Sequence, residues 1–455
     1  MKIVGIIVSI LVVTFGHTQE PDTLWTRTYG GSGDDVGYAI LHTDDGGYLV
    51  VGSTESYGAG GKDGYIIKTD LDGNTIWTHC YGGSEDEELY AIKPTTDGNY
   101  IVVGYTGSFG YGGSDIWLLK IDSLGDTLET REWGSPSNEI GKSIEPTSDG
   151  GYIITGSMEL WFGVKSAFLG KVWDNTLDPS WIRTYTNLPA TSGGAHAIQA
   201  TDDGYMMVGH WWAPEPPTDS YAWLVKTDSL GDTVWTTRYF PVKDLSYIQQ
   251  VSDSSYVVLG PSYAHSYGPY SVMLREVDNS NNVFWEMIVG DTLSDDFGRE
   301  FQQIADGQYV VAGETESVVD TLSDVLLFKI NESNVLWLMT VGGASDDGAY
   351  SMQQTNDNGY IVAGYTKSYG AGGSDIYLIK TAPDVGIKEQ AIVKSLQEEY
   401  FITTTIFRGP LKLPEGNNCK VYDIMGRVVE SSKIQPGIYF IEVDGVVKQK
   451  VVKVR

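Results

Sequence analysis

One unit recurs along this chain every 51 to 53 residues, and nothing else in the sequence limits the fold as tightly. Its first anchor is a tyrosine that opens an apolar strand: Tyr48, Tyr100, Tyr152, Tyr205, Tyr256, Tyr309 and Tyr360. A glycine follows four residues later each time: Gly52, Gly104, Gly156, Gly209, Gly260, Gly313 and Gly364. The second anchor is tryptophan, at Trp25, Trp77, Trp181, Trp235, Trp285 and Trp337, with Glu129 where the period asks for one more. The third is a basic residue closing an apolar strand: Lys68, Lys120, Lys171, Lys226, Arg275, Lys329 and Lys380.

Each unit holds four strand-like runs. In the first they are Gly37–His42, Tyr48–Gly52, Gly64–Thr69 and Thr75–Tyr81. Glycine and Asx residues between them supply the positive φ angles that hairpins require. Four antiparallel strands at this period are the mark of a propeller blade. The fold class expected is therefore all-β: a seven-bladed β-propeller plus a small C-terminal β-sandwich. The first tryptophan strand, Leu24–Gly30, precedes the first full unit, and none follows Lys380. The simplest solution is that the N-terminal strand becomes the outer strand of blade seven. The expected limits are a signal peptide over 1–18, the propeller over 19–381, a linker over 382–394 and the last domain over 395–455.

The unit resembles that of a family of secreted bacterial and archaeal propellers, which reads GGSxDD, DGGY, SxGxGGxD and DxxGxxxW in turn. The fit is best in blades one, two and seven, as in Tyr29-Gly30-Gly31-Ser32-Gly33-Asp34-Asp35. It covers residues 24 to 381 and implies the fold, not an activity.

At the N-terminus, Lys2 precedes a 13-residue apolar run, Ile3 to Phe15, and then small residues at Gly16 and Thr18. That pattern predicts a signal peptide cleaved near Thr18–Gln19. No other segment is apolar enough to cross a membrane, so no transmembrane anchor is expected in the mature form. At the other end, Val421-Tyr422-Asp423-Ile424-Met425-Gly426-Arg427 reads as a strand and turn, and Pro436-Gly437-Ile438-Tyr439-Phe440 as a turn and strand. Taken alone, this is a small antiparallel sandwich. Tyr422, Asp423, Gly426, Arg427, Pro436, Gly437, Tyr439 and Phe440 closely resemble the motifs of the type-A sorting domain of the type IX secretion system. That resemblance implies the secretion machinery as a partner, and release or attachment at the outer cell surface.

The net charge is −30, and residues 1 to 381 carry 51 acidic against 19 basic side chains. Such a body repels nucleic acid and anionic lipid. Cys80 and Cys419 lie in different domains, so a disulfide framework is excluded and both read as small buried residues. The histidines show no ligand spacing, and no GxSxG elbow or Walker loop occurs. The DxxGxxxW turn is similar to that of pyrroloquinoline-quinone propellers. Those resemble eight-bladed rings with adjacent cysteines, against seven units and isolated cysteines here.

The Asp34/Asp35, Asp295/Asp296 and Asp346/Asp347 pairs sit where one blade passes to the next, and a carboxylate there can accept backbone N–H bonds. Asp70, Asp72 and Asn74 resemble part of a calcium loop without its distant glutamate, and the reading as a turn is favoured over the metal. No other cofactor is implied. The better functional candidates break the repeat on the face shared by the second-to-third-strand loops. They are Trp161 and Phe162 in blade three, His210, Trp211 and Trp212 in blade four, and Tyr263, His265 and Tyr267 in blade five. Exposed aromatics suit sugar stacking or a protein hot spot, or else they cap the blade cores. The expectation is a non-enzymatic surface or secreted module that binds a glycan or protein. A glycosidase-like hydrolase and a structural envelope component are the alternatives.

Overall fold

The computed structural model describes residues 20–160, 164–185, 192–201, 203–212, 220–239, 242–263, 269–290, 293–304, 307–316 and 321–384, and from the C-terminal unit 403–407, 419–423, 428–430, 435, 437–443 and 446–453. The chain divides into two compact units, Met1–Gly386 and Ile387–Arg455. The first is a ring of seven four-stranded antiparallel sheets. No described residue is helical.

The blade-seven closure is as the repeat phase predicts. Thr23–Tyr29 pairs antiparallel with Asp375–Thr381, with Trp25 opposite Lys380 and Tyr29 opposite Ile376. The seam is also bonded on the loop face. The Asp35 N–H donates to the Ser374 carbonyl at 2.6 Å, and Asp34 Oδ1 accepts the Ser374 N–H at 2.7 Å. Other Asp pairs likewise accept N–H bonds at blade passages, Asp295 from Tyr270 at 2.7 Å and Asp347 from Gly343 at 2.8 Å.

The sequence anchors are mostly contacts between blades. The second and third strands of blade one, Tyr48–Thr54 and Asp63–Thr69, are buried along their whole length. Outer strands alternate exposed and half-buried residues, because only one of their faces meets the next blade. That half-buried position is the tryptophan's. Trp25 lies 6.4 Å from Tyr48, Trp181 6.1 Å from Tyr205, Trp285 5.5 Å from Tyr309 and Trp337 5.9 Å from Tyr360. Each pair joins one blade's outer strand to the next blade's tyrosine. Such aromatic pairs stabilise by about 0.5–1.5 kcal/mol beyond their buried area.

The lysine anchor is a clasp. Lys68 Nζ donates to Thr43 Oγ1 and, at 2.6 Å, to Asp45 in its own blade's first hairpin. Lys226 does the same with Thr201 at 2.7 Å and Asp203 at 2.5 Å. The Lys226 hydrogen bond holds the Asp203 carboxyl below the usual carboxylate range. A buried ammonium is tolerated because each clasp gives it acceptors. Blade five lacks the Thr-x-Asp hairpin, and there Arg275 turns instead to Glu286 of the outer strand, Nε to Oε2 at 2.6 Å.

One expectation is corrected. Cys80 is exposed, not buried. It falls on the solvent side of the outer strand Thr75–Tyr81, where the two-residue alternation turns Ile76, Thr78 and Cys80 outward. In the C-terminal unit the described strands form one mixed sheet. Thr403–Phe407 runs parallel to Val446–Lys453, which pairs antiparallel with Gly437–Val443 and through it with Cys419–Asp423.

Candidate functional site at the channel mouth

The glycine anchor has a separate cause, and it builds the site. The inner strands are Asp35–His42, Glu87–Pro94, Glu139–Pro146, Ser192–Thr201, Tyr247–Ser252, Asp296–Gln303 and Asp347–Gln354. In all seven the register against the second strand slips by one residue, and in six the slip falls opposite the recurrent glycine. In blade one Gly37 faces Gly52 and Ala39 faces Val51, so Tyr38 is extra. The same bulge singles out Tyr90, Lys142, His196, Arg299 and Tyr350. The facing glycine lets the bulged backbone come close. A Cβ on Gly52 would lie 1.8 Å from the Val36 carbonyl oxygen, and one on Gly313 1.9 Å from that of Phe297. Bulges re-aim side chains. Here they send Tyr38, Tyr90, Lys142, Arg299 and Tyr350 into the central channel, near the end of the inner strand that meets the second-to-third-strand loops.

These five line an open cavity of about 200 Å³. The Tyr38 ring packs between Tyr90 at 5.0 Å and Tyr350 at 5.2 Å. The Lys142 Nζ sits 3.3 Å from the centre of the Tyr90 ring. Across the mouth, the Arg299 guanidinium lies 5.7 Å from the Tyr350 ring and 5.5 Å from Phe297. Phe297 meets Tyr270 at 5.5 Å, and Tyr270 meets Tyr263 at 4.7 Å, with their hydroxyls 2.9 Å apart. An unbroken arc of rings and cations thus runs from the blade-five loop through blades six, seven, one and two to blade three.

Two carboxylates steady the arc from behind. Glu88 accepts the Tyr90 hydroxyl at 2.5 Å and the Lys62 ammonium at 3.0 Å. Glu314 accepts Arg299 and, at 3.3 Å, the Tyr365 hydroxyl. Burial, then the nearby Glu88 charge, raises the Tyr90 phenol far above its ordinary value. Burial lowers the Lys142 ammonium to about 8.

Deeper in the channel the polar side chains serve the fold. Inner strands expose a row of backbone N–H groups, and neighbouring blades cover them. Ile40 donates to Ser351 Oγ at 3.2 Å, His42 to Gln353 at 2.8 Å, Met352 to Glu300 at 3.0 Å, Gln354 to Gln302 at 2.7 Å and Gln303 to Gln249 at 3.0 Å. This belt satisfies an edge that water alone would otherwise solvate. Burial pushes the Glu300 carboxyl up. Glu145, the other channel acid, is paired with Lys93 at 2.6 Å.

Of the aromatic candidates read from the sequence, Tyr263 joins the arc. His210 lies 3.8 Å from Asp244. Trp211 and Trp212 end the strand Gly204–Trp212, but their side chains, like Trp161, Phe162, His265 and Tyr267, lie outside the described residues. So do Gly426, Arg427 and Pro436. Tyr422 bridges to Val428 across the motif's turn, Asp423 pairs with Tyr439, and Tyr422 with Phe440. Asp70 caps its own hairpin, accepting the Asp72 N–H at 2.9 Å, the Asn74 N–H at 2.8 Å and the Asn74 amide at 2.9 Å. These partners are donors, the geometry of a turn. Among the described residues no group of three or more His, Cys, Asp or Glu could hold a metal ion. The regular blades also carry exposed aromatics on the loop face, Tyr57, Phe109, Tyr111 and Tyr369.

The architecture is that of a seven-bladed β-propeller. The WD40 β-propeller domain of Doa1 matches it with a TM-score of 0.50 at 11% identity, over 79% of this chain and 96% of that one. The periplasmic gluconolactonase PpgL of Pseudomonas aeruginosa gives 0.46 at 11%, over 74% and 99%. At 11% identity the likeness to the Doa1 domain is one of fold. In sequence, the chain is 29% identical over 160 residues to the regulatory protein FlaEY of Caulobacter vibrioides, which is 33% of this chain and 16% of that protein. The match thus spans about a sixth of that relative's length. No family model matches the chain.

Proposed function

We propose that this protein is an exported, non-enzymatic binding propeller that seats an extracellular glycan or protein ligand at its channel mouth. The observation that carries the reading is the arc of Tyr38, Tyr90 and Tyr350 with Lys142 and Arg299, presented by bulges around an open cavity. Aromatic faces beside partly desolvated cations suit recognition. The channel acids Glu145 and Glu300 are engaged with Lys93 and with Met352, which favours binding over hydrolysis. The Trp161, Trp211 and Trp212 loops would form a rim on the same face. Export follows from the N-terminal signal over 1–18 and from the C-terminal resemblance, with the type IX machinery as partner and the outer surface or medium as destination.

Glycan and surface-protein arrays test this with the mature chain and two variants. The double variant Tyr38→Ala/Tyr350→Ala should weaken the bound ligand at least about tenfold, as for loss of hot-spot aromatics. The triple variant Trp161→Ala/Trp211→Ala/Trp212→Ala should weaken it less. Binding unchanged by the double variant, with its melting curve intact, would remove the mouth as the site. No ligand on either array would favour the structural envelope role.

A further inference from the structure

One cation at the mouth has no ion-pair partner among the described residues. Arg299 is matched by Glu314 and Lys62 by Glu88. Lys142 forms no ion pair or hydrogen bond among the described residues. Its ammonium rests only on the Tyr90 ring. An aromatic face recovers part of the hydration a cation loses, not all of it. The Nε–H of Arg299 is also buried without an acceptor among the described residues. The mouth therefore holds one cation without an ion-pair partner among the described residues, over the Tyr90 ring, and one idle donor beside the Tyr350 ring, while Glu300, which lines the same cavity, accepts the Met352 N–H.

We infer that the channel mouth binds a saccharide unit carrying a single negative charge, with the Lys142 ammonium as counter-ion and the Tyr38, Tyr90 and Tyr350 rings as stacking surface. This rests on the binding role proposed for the mouth and narrows its ligand. Three observations select the chemistry. The cavity, about 200 Å³, is smaller than the ~300–1,000 Å³ of pockets for drug-sized ligands, so it takes one ring and not an oligomer. Its wall includes Ser143 beside the tyrosines, a polar group for a sugar hydroxyl, while Ser246 and Gln353 are engaged with Leu259, Gly298 and His42. The body carries 51 acidic against 19 basic side chains, a net of −32, which repels a polyanion and admits a lone charge at the end of a neutral chain. The anion is a ring carboxylate, as in a uronic acid, or a sulfate ester, and the two share this recognition.

Calorimetric titration of the mature protein at pH 6.5 with D-glucuronate, glucose 6-sulfate and D-glucose tests the inference. At least one of the two anions should bind ten or more times tighter than glucose, and which one does so names the source. Lys142→Met keeps the length of the side chain and removes the charge, so the anion should fall to the level of glucose. A second reading needs no variant. The groups that bear on the Lys142 charge are Tyr90 and Glu88 from the neighbouring inner strand and Lys165 from its own blade. With the ammonium at about 8, the preference for the anion should fall at least fivefold between pH 6.5 and 9.5. Equal binding of anion and glucose, or a preference that survives both Lys142→Met and pH 9.5, overturns the inference. If neutral sugars bind as tightly as the anions and are lost in Tyr38→Ala/Tyr350→Ala, the inference fails while the mouth remains the site. If sugars bind without regard to either variant, both fail.

Discussion

Replacing Gly104 with alanine should destabilise the propeller by about 3 kcal/mol or more. The new Cβ would lie 1.9 Å from the Glu88 carbonyl oxygen, 2.8 Å from its carbon and 2.9 Å from the Leu89 Cα. All three atoms are backbone, so no rotamer change relieves the clash. The strand must move, and Tyr90, next in sequence, moves with it. Gly98 is the control. It has φ +83 and nothing within 4 Å of an added Cβ, so alanine there costs only left-handed strain, about 1–2 kcal/mol. Urea unfolding of both variants checks the difference. Equal losses would mean that the bulge is not held by the facing glycine. The aromatic arc should suffer too, so Gly104→Ala should lose ligand as Tyr38→Ala/Tyr350→Ala does, and Gly98→Ala should not.

Removing residues 20–30 should cost still more, about 5 kcal/mol or beyond, or abolish the single cooperative transition. The deletion unpairs Asp375–Thr381 along its length and uncovers Tyr48, which Trp25 covers. Trp25 and Tyr29 also pack on the core of Ile40, Tyr48, Val50 and Leu378. The exposed edge is a template for self-association, so the variant should elute as oligomers. A synthetic peptide of residues 20–30 added in excess should restore a monomeric species with a higher melting temperature. A deletion variant that stays monomeric and melts like the full chain would contradict closure by this strand.

The blades were legible because their anchors report inter-blade packing, which the repeat imposes at a fixed period. Tryptophan meets the next blade's tyrosine, and in blades one to four and seven lysine meets its own hairpin. The closing strand followed from phase alone. The mouth was harder to read. Tyr38, Tyr90, Lys142, Arg299 and Tyr350 differ in chemistry, so no side-chain motif unites them. What unites them is backbone: each stands at a bulge opposite the recurrent glycine. That glycine was visible, and a ring of residues at a fixed offset before it was the available signal. The sequence favoured the aromatic loops of blades three to five because they depart from the repeat. Tyr263 shows the value of that rule, since it leads into the arc. Tyr57, Phe109 and Tyr369 show its limit, since regular Gly-rich loops also present aromatics on that face. Cys80 misled because small apolar character suggests burial, whereas strand alternation decided it.

The most direct test of the account is a hydrogen-exchange footprint of the mature protein with a ligand found on the arrays. The account predicts slowed exchange in the inner-strand segments around the bulges, residues 36–41, 88–93, 140–145, 297–302 and 348–353, with outer strands unchanged. Protection confined to outer strands, or to loops remote from the channel, would contradict it.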